Sequence, residues 1–528
     1  MNKIWIIKPS VSPTLIHSLC DELKVPVSIA TLLVQRGVTN YEEARLFFSP
    51  TLNDLHNPYL MKDMDKAVKR ISKAITQNEK ILFLGDYDVD GTTSVALLML
   101  FFRPLYKHVG FYIPDRYKEG YGVSKQGIDY AKEHGYTLII TLDCGIKANE
   151  KISYAVSQKI DVIICDHHNE GDVLPEAVAI LNPKQSGCQY PFKELSGCGV
   201  GFKLLQAFCI KHSLSQEEYL YKYLDLVVVS IASDIVPITG ENRTLAFWGL
   251  QTLVQNPSTG LKAIKITAGI DNHELTISDI VFKIGPRINA AGRISSGDMA
   301  VNLLISETLD EAYKLAVQVN DCNTERKGLD KATTLEALSI IDTDKNLQIR
   351  KSTVLYNKEW HKGVVGIVAS RLTEYYYRPT IILTEKDGLL TGSARSVEGF
   401  DLYSAIDSCS HILENFGGHK YAAGVTLKKE NFEKFSNHFE NYVSSHATDE
   451  MLTPKITIDC YLNFDEITPK FFRLLKRFQP FGPDNMTPVF ATQNVYDTGK
   501  SKIIGQNSEH LKLSLYQNGF EFDAIAFN

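Results

Sequence analysis

Three aspartates stand at alternate positions in the segment GDYDVDG, directly after the apolar run ILFL; they are Asp86, Asp88 and Asp90. Carboxylates at this spacing repel one another, and a buried carboxylate without a partner is costly. A bound cation would offset both costs. The spacing therefore predicts a cation site at the end of a buried strand.

Further acidic residues and two histidines follow other apolar runs in the same way. Asp143 follows TLIITL, the triplet Asp166-His167-His168 follows DVIIC, and Asp234 follows VVVSIAS. Each cluster alone has a commoner explanation as a turn, a helix cap or a surface pair. However, the carboxyl ends of parallel strands meet at one sheet edge, where α/β proteins bind ligands. Their shared position after apolar runs favours one composite site.

The kinds of ligand indicate which metal this site takes. Many carboxylates with few imidazoles favour Mn²⁺ or Mg²⁺ over zinc, which more often recruits cysteine or three histidines. So many ligands predict two ions, and two such ions serve hydrolytic displacement at phosphorus. A calcium-binding EF-hand is excluded because its twelfth position, counted from Asp86, is Leu97 instead of glutamate. The pattern indicates a phosphoesterase.

Length and composition restrict the class of protein. At 528 residues, with 44% hydrophobic and 22% charged residues, the chain is typical of a globular protein with several domains. No apolar run reaches the ~18–20 residues of a membrane span, and the N-terminus lacks a signal-peptide pattern. We therefore expect a cytoplasmic protein without membrane association. Its nine cysteines include no C-x-x-C pair and are predicted to be reduced.

Net charge bears on possible partners. At −6 the whole molecule has no electrostatic signature of nucleic-acid binding. A nucleic-acid partner would have to be held by local basic patches or through metal ions.

The elements that must position these residues follow from periodicity. Apolar runs separated by helical patterns predict a parallel α/β sheet, with strands within 80–86, 109–115, 137–143, 161–166 and 225–234. Helical periodicity fills 1–75, and a long connector helix is predicted within 299–341. Runs at 352–357 and 379–384 around a helix predict a second, smaller α/β domain. Runs from about 454 onward predict an all-β domain such as an OB-fold.

The motifs resemble those of a known family. GDYDVDG, TLDCG, CDHH and SDIVP, in this order, are similar to the signature motifs of the DHH phosphoesterase superfamily. The RecJ single-stranded-DNA exonucleases are the subgroup indicated by PDRYKEGYG, GPRINAAGR, GVVGIVASRL, GSARS, FGGHKYAAG and FQPFGPDNMTPVF. The resemblance covers essentially the whole chain.

The resemblance implies five parts. They are an N-terminal helical region (1–75), a DHH catalytic domain (76–245), a helical connector region (246–345), a DHHA1 substrate-binding domain (346–450) and an OB-like domain (451–528). The chain stops within a predicted strand, and RecJ-like chains commonly run further. The last domain is therefore expected to be incomplete.

The resemblance also implies the catalytic residues. The metal ligands would be Asp88, Asp90, Asp143, His167 and Asp234, and His168 would complete the catalytic set near the scissile phosphate. Asp86 would support the site without binding metal. Many superfamily members carry a histidine four residues before the first ligating aspartate, where this chain has Leu84. We expect a thinner ligand shell around one of two ions.

A second group of residues is implied to bind substrate. Ser393 and Arg395 lie in a predicted Gly-flanked turn and offer a hydroxyl and a guanidinium to phosphate. The remaining candidates for binding the strand are Arg116, Arg287, Asn289, Arg293 and the glycine-rich DHHA1 segment Gly417, Gly418 and His419. Three tyrosines are candidates for stacking on bases, with a packing role equally open; they are Tyr117, Tyr121 and Tyr421.

The function implied is a metal-dependent 5′→3′ exonuclease that degrades single-stranded DNA to 5′-mononucleotides in DNA repair and recombination. One alternative is a phosphodiesterase for short oligonucleotides or cyclic dinucleotides, which would need only the two α/β domains. Another is a non-catalytic DNA-binding replication scaffold, which would have lost metal ligands. We expect a monomer, and repair roles suggest a helicase and a single-strand-binding protein as partners.

Overall fold

The computed structural model of the chain describes residues 3–271 and 274–527. Contacts divide these residues into two units, a larger one of 6–271, 274–292, 297–317 and 457–527 and a smaller one of 3–5, 293–296 and 318–456. Within the described residues, no helix is both long enough and apolar enough to cross a membrane.

The N-terminal segment is helical, as its periodicity predicts. Its elements are β1 (Ile4–Ile7), α1 (Pro13–Leu23), α2 (Val27–Gln35), α3 (Tyr41–Phe48), 3₁₀ turns at Leu52–Asp54 and Pro58–Leu60, and α4 (Met64–Thr76). Asn40 caps α3 by accepting a hydrogen bond from the Glu43 N–H at 3.0 Å. The first three helices share an apolar core with Leu462, Phe471 and Phe478 from the C-terminal segment.

A parallel sheet follows, as predicted, and four of its five strands lie where the sequence places them. Its elements and crossover helices are β2 (Lys80–Gly85), α5 (Val89–Phe102), β3 (Val109–Tyr112), α6 (Lys125–Glu133), β4 (Tyr136–Leu142), α7 (Asn149–Ser157), β5 (Asp161–Cys165), β6 (Ala179–Leu181) and α8 (Gly197–His212). The strand order is β3-β2-β4-β5-β6, and every neighbouring pair is parallel. Leu82 and Phe83, on opposite faces of β2, are both fully buried, as expected of a sheet covered on both faces.

Helices then dominate up to residue 349. They are α9 (Gln216–Tyr219), a 3₁₀ turn (Tyr221–Tyr223), α10 (Leu224–Ser233), α11 (Gly240–Gln255), α12 (Thr259–Ala268), α13 (Ile277–Asp279), a π-helical segment (Ile280–Ile284), α14 (Gly285–Ile294), α15 (Gly297–Leu304), α16 (Leu309–Thr343) and α17 (Lys345–Ile349). The long connector helix is confirmed as the 35-residue α16, although a break at 305–308 separates it from α15.

The predicted strand within 225–234 is wrong. Residues 224–232 are all buried, and they form helix α10, which packs against α5, α8 and α11. A helix that is apolar on every side has the same sequence pattern as a strand buried on both faces. The fifth strand of the sheet is the short β6 instead, and Asp234 follows a helix.

The second α/β region contains a mixed sheet. Its elements are β7 (Thr353–Tyr356), α18 (Val365–Tyr376), β8 (Thr380–Lys386), β9 (Leu389–Arg395), α19 (Leu402–Asp407), a 3₁₀ turn (Ser410–Ile412), β10 (Asn415–His419), β11 (Ala422–Lys428), a 3₁₀ turn (Lys429–Asn431) and α20 (Phe432–His446). The strand order is β10-β11-β9-β8-β7, and only β7 and β8 are parallel. Asp387 and Gly388 both have positive φ and form the two-residue turn between β8 and β9.

The C-terminal segment forms small β-sheets. Its elements are β12 (Lys455–Ile458), β13 (Cys460–Tyr461), a 3₁₀ turn (Phe464–Glu466), α21 (Pro469–Lys476), β14 (Phe490–Ala491), β15 (Tyr496–Asp497), β16 (Lys502–Ile504), β17 (His510–Gln517) and β18 (Phe520–Phe527). β17 is central and pairs antiparallel with β15, β16 and β18. The predicted multidomain α/β fold class is confirmed.

Candidate metal centre

Three strand ends and one helix end bring the acidic residues together. Asp86, Asp88 and Asp90 lie where β2 passes into α5. Asp143 directly follows β4, the triplet 166–168 follows β5, and Asp234 follows α10. Because β2, β4 and β5 are adjacent and parallel, their carboxyl ends lie side by side.

His167 lies at the centre of this cluster. Its Nε2 is 3.1 Å from Asp143 Oδ1, 3.5 Å from Asp234 Oδ2 and 3.7 Å from Asp90 Oδ2. The closest of these contacts lacks hydrogen-bond geometry, and both ring nitrogens of His167 and Asp143 Oδ1 are buried without a hydrogen-bond partner. Two ligand atoms bound to one ion at about 2.1 Å and at a right angle lie about 3 Å apart. The unpaired atoms therefore fit a shared cation.

Two overlapping groups of side chains have ligand atoms within 4.8 Å of one another. One group is Asp143, His167 and His168, and the other is Asp90, His167 and Asp234. His168, expected near the phosphate, thus joins the groups that could hold metal. Asp88 belongs to neither group: its side chain caps α5 by accepting from the Gly91 N–H at 3.1 Å. Its role as a ligand stays a prediction.

Asp90 is held rigidly by the start of α8. Its carboxylate accepts hydrogen bonds from the N–H groups of Gly197 at 2.6 Å and Cys198 at 2.8 Å, and from Ser230 Oγ at 2.7 Å. A Cβ at Gly197 would lie 2.6 Å from the Cβ of Asp143, so only glycine allows this approach. These donors fix Asp90 while leaving lone pairs available to a cation.

Burial and mutual repulsion dominate the electrostatics of the cluster. Burial, and then the charges of Asp90 and Asp88, raise the pKa of Asp234 to about 8. Burial and the charge of Asp88 likewise raise the pKa of Asp86 to about 8. The pKa of Asp143 is raised well above its usual value by burial and by the aspartates around it. Without a cation, these carboxyls would therefore hold protons at neutral pH.

This electrostatic conflict predicts how stability depends on pH and metal. In the unfolded chain, Asp86 and Asp234 lose their protons above a pKa of about 3.8. In the folded, metal-free protein, the same two side chains keep their protons up to about pH 8. The metal-free protein should therefore lose stability as pH rises, with Tm roughly 5 °C lower at pH 8 than at pH 5.5. Thermal unfolding with chelator and with Mn²⁺ tests this, because bound cation should reduce the decline.

The two histidines contribute to this profile with opposite signs. Burial lowers the pKa of His168, but the hydrogen bond with Asp166 and the negative charge of Asp166 have the larger effect and raise it. His168 therefore adds to the loss of stability as pH rises. Burial lowers the pKa of His167. Below about pH 6.5, His167 therefore opposes the loss of stability with rising pH. Asp234→Asn should flatten the metal-free profile. A profile that rises with pH in wild type would contradict this view of the cluster.

Asp166 orients His168. Its Oδ1 accepts from His168 Nδ1 at 2.7 Å and from the N–H groups of His167 and His168 at 2.7 and 3.1 Å. Although burial acts in the opposite direction, these hydrogen bonds and the charge of His168 lower the pKa of Asp166 to about 2. Sequence reasoning noted Asp166 but gave it no role in the site; its position directly before two histidines was the available signal.

Tyr121 also reaches the cluster. Its hydroxyl donates to the carbonyl of Asp143 at 3.2 Å and lies 3.4 Å from His168 Nε2. The predicted stacking role of Tyr121 is untested, and this anchoring was not foreseen. Leu84 is a residue of β2 and is fully buried in the apolar core, so it contributes no ligand atom. Asp86 accepts from the Gly122 N–H at 3.1 Å, and its other oxygen is buried without a hydrogen-bond partner.

Three predicted substrate-binding residues lie in the same unit as the cluster. The Arg116 guanidinium stacks 4.8 Å above the ring of Tyr87, and its charge is a minor factor that lowers the pKa of Asp86. Arg287 and Asn289 lie on α14. This helix packs closely on the loops of the cluster, since a Cβ at Gly292 would lie 2.7 Å from the Tyr87 carbonyl.

The predicted turn at Ser393 and Arg395 is wrong, because both residues lie in strand β9. Gly417, Gly418 and His419 likewise end strand β10. The strand between them, β11, aligns the two motifs: Gly417 and Ser393 both pair with Gly424, and His419 and Arg395 both pair with Ala422. The two motifs therefore lie level with each other on β10 and β9, with β11 between them.

The start of α18 lies beside these residues. A Cβ at Gly366 would lie 3.3 Å from both Arg395 Nη2 and Ser393 Oγ, and Arg395 Nη1 donates to Ser393 Oγ at 2.7 Å. Arg293 donates to the carbonyl of Gly363 at 3.0 Å, just before the helix. Helix N-termini favour anions, so this arrangement is suited to phosphate.

Three family models match successive parts of the chain. They are the DHH family, N-terminal domain (residues 80–231), the DHHA1 domain (residues 350–445) and the RecJ OB domain (residues 458–528). The matches follow the order of the two α/β regions and the β-rich segment.

Known proteins resemble the chain over most of its length. RecJ of Bacillus subtilis, a single-stranded-DNA-specific exonuclease, is 39% identical over 515 residues, which are 97% of this chain and 64% of that protein. RecJ of Haemophilus influenzae, of the same name, is 34% identical over 90% of this chain and 86% of its own length. The crystal structure of RecJ from Thermus thermophilus in complex with Mn²⁺ superimposes with a TM-score of 0.85 and 26% identity, covering 99% of this chain and 74% of that one. The cluster geometry, the three matched domains and this similarity agree: the chain belongs to the RecJ family.

Proposed function

We propose that this chain is a metal-dependent exonuclease that degrades single-stranded DNA from its 5′ end and releases 5′-mononucleotides. The observation that carries the proposal is the buried cluster around His167, where ligand atoms lie close together and both ring nitrogens of His167 and Asp143 Oδ1 have no hydrogen-bond partner. The family relatives bear the name of single-stranded-DNA-specific exonucleases. Because the chain spans 64% of the Bacillus subtilis relative, its activity is proposed by similarity and by the site together.

The donor set fits Mn²⁺ or Mg²⁺, and we propose that two ions bind. The ligands proposed are Asp90, Asp143, His167 and Asp234, with Asp88 as a further ligand and His168 beside them. When bound, such ions supply Lewis acidity, which lowers the pKa of water and offsets charge on phosphate oxygens.

His168 is the proposed proton donor. Asp166 holds its Nδ1, and its Nε2, which lies 3.4 Å from the Tyr121 hydroxyl, is the nitrogen proposed to face substrate. Cleavage that releases a 5′-mononucleotide frees a 3′ oxygen, which requires a proton. Burial lowers the pKa of His168, but the hydrogen bond and charge of Asp166 raise it, which favours the protonated form that can donate.

The start of α18 is the proposed site for the terminal 5′-phosphate. Arg395 and Ser393 lie beside it, and Arg293 lies at the loop before it. A guanidinium, a hydroxyl and a helix N-terminus together favour a dianionic phosphate. Arg116, Arg287 and Asn289 are proposed to contact backbone phosphates, and the segment 417–419 is proposed to contact the strand.

Removing the Arg395 side chain should weaken end recognition. Arg395→Ala is expected to reduce the preference for 5′-phosphorylated over 5′-hydroxyl strands by roughly tenfold, because charge-assisted hydrogen bonds to phosphate are lost. The measurement compares kcat/KM for the two strands. Arg45→Ala is a matched control, since Arg45 pairs with Glu42 and Asp54 on the surface. Equal discrimination by Arg395→Ala and wild type would place the phosphate elsewhere.

The function itself is tested by a time course with Mn²⁺ on a long single strand labelled at either end. Early release of labelled mononucleotide from the 5′ end alone is the expected result. Release from the 3′ end would contradict the polarity. Hydrolysis of dinucleotides without degradation of the long strand would favour the small-substrate phosphodiesterase instead.

The family assignment supports a proposal for the wider role. We propose a monomeric cytoplasmic enzyme of DNA repair and recombination that works with a helicase and a single-strand-binding protein. The five-part division is also proposed, and the family matches lie within its regions 76–245, 346–450 and 451–528.

A further inference from the structure

Ile235 has a backbone conformation that isoleucine rarely adopts. Its φ is +59°, in the left-handed region, and it is the only β-branched residue there among the described residues. The left-handed region is unfavourable for an ordinary L-residue, and a β-branched side chain is an outlier there. Glycine or asparagine would remove most of this strain.

Packing of the side chain does not compensate for the strain. Ile235 is 66% exposed, whereas the neighbouring Val236 and Ile238 are buried. The segment around it is firmly held: the Asp234 N–H donates to the Ser230 carbonyl at 2.9 Å, and the Ile238 N–H donates to the Pro483 carbonyl at 2.8 Å. A rigid segment therefore presents a strained, exposed, apolar side chain.

The position of Ile235 beside the metal centre indicates a function for its strained, exposed side chain. It directly follows Asp234, whose Oδ2 lies 3.5 Å from His167 Nε2. From this geometry, and resting on the proposed function, we propose that Ile235 contacts the nucleoside of the substrate strand at the scissile linkage. Sugar and base faces offer apolar surface, and burying the isoleucine against them would favour the bound strand. Strain of this kind persists at functional sites, where a ligand contact explains it.

A purely conformational role is the competing explanation. In that case the left-handed residue would serve only to orient Asp234. Asparagine or glycine would then serve as well or better, and any loss on substitution would act through metal binding. The two explanations therefore differ in their effects on stability, metal affinity and cleavage.

The test uses Ile235→Asn and Ile235→Val in the full chain. Ile235→Asn should raise Tm in the absence of metal by about 1–3 °C, because the strain is relieved. It should also lower kcat/KM about tenfold on a 5′-phosphorylated single strand with Mn²⁺, and leave Mn²⁺ affinity by calorimetry unchanged. Ile235→Val keeps the apolar surface and the strain, and should stay within about threefold of wild type.

Lys159→Asn is the matched control for relief of strain. Lys159 is exposed, has φ of +63° and follows α7, so its substitution should leave kcat/KM unchanged. An unchanged kcat/KM for Ile235→Asn would overturn the proposal, and so would weaker Mn²⁺ binding, which would assign Ile235 to positioning Asp234. Absence of cleavage by wild type would instead contradict the proposed function.

Discussion

Replacing Asp143 with asparagine is expected to lower kcat for single-strand cleavage by about three orders of magnitude while the protein remains folded. Asp143 is 2% exposed, and its Oδ1 lies 3.1 Å from His167 Nε2 without a hydrogen-bond partner. Asparagine keeps the shape and tolerates the φ of +60° at this position. It removes one charge from the ligand set, so Mn²⁺ affinity should fall at least about tenfold.

Stability separates this effect from misfolding. Burial and neighbouring aspartates raise the pKa of Asp143, so the charged form destabilises the metal-free fold. Asp143→Asn should therefore have a higher metal-free Tm than wild type at pH 8. Asp161→Asn is the control, because Asp161 lies at the opposite end of β5 and pairs with Arg70 at 2.6 Å. Retained cleavage by Asp143→Asn would remove Asp143 from the proposed site.

Replacing Arg243 with lysine is expected to destabilise the larger unit by about 3 kcal/mol. Arg243 lies on α11, is 3% exposed, and donates hydrogen bonds to the carbonyl of Phe47 and to the four carbonyls of residues 477–480. Its guanidinium also lies 3.8 Å from the centroid of the Phe47 ring. Lysine has three donors, so buried carbonyls would lose their partners.

Denaturant unfolding at neutral pH measures this loss. Burial, and then the charge of Arg36, lower the pKa of Arg243 to about 9, so the side chain remains charged under these conditions. Arg45→Lys is the matched control, since this arginine forms surface ion pairs with Glu42 and Asp54 and its replacement should leave the unfolding midpoint almost unchanged. A change below about 1 kcal/mol for Arg243→Lys would show that water or rearranged backbone replaces the lost donors.

The contacts of Arg243 explain why the N-terminal helices and the C-terminal segment belong to one unit. The carbonyls it binds come from α3 and from the residues that follow α21. The same regions share an apolar core that includes Phe47 and Phe478. Nothing in the sequence distinguishes Arg243 from a surface arginine, because its acceptors are backbone groups more than 190 residues away.

The sequence by itself predicted the cluster of acidic residues and histidines and most of the architecture. Aspartates and histidines after apolar runs predicted the site. The periodicity of a short segment identifies a strand and its direction, and the carboxyl ends of parallel strands meet at one edge of the sheet. The family motifs are contiguous, so Asp90, Asp143, His167 and Asp234 could be named before any contact was known. The parallel sheet and the long helix α16 followed from periodicity alone.

Only the tertiary structure decided what depends on distant partners. The run at 225–234 is a helix because helices surround it, and an apolar segment takes its form from its neighbours. Ser393 and Gly417 lie in one row because β11 pairs with both strands. The strain at Ile235 is likewise invisible in sequence, because its φ results from the anchoring of the segment at both ends. Local pattern specifies elements and residue types, whereas pairing, burial and backbone strain arise from contacts between segments far apart in the chain.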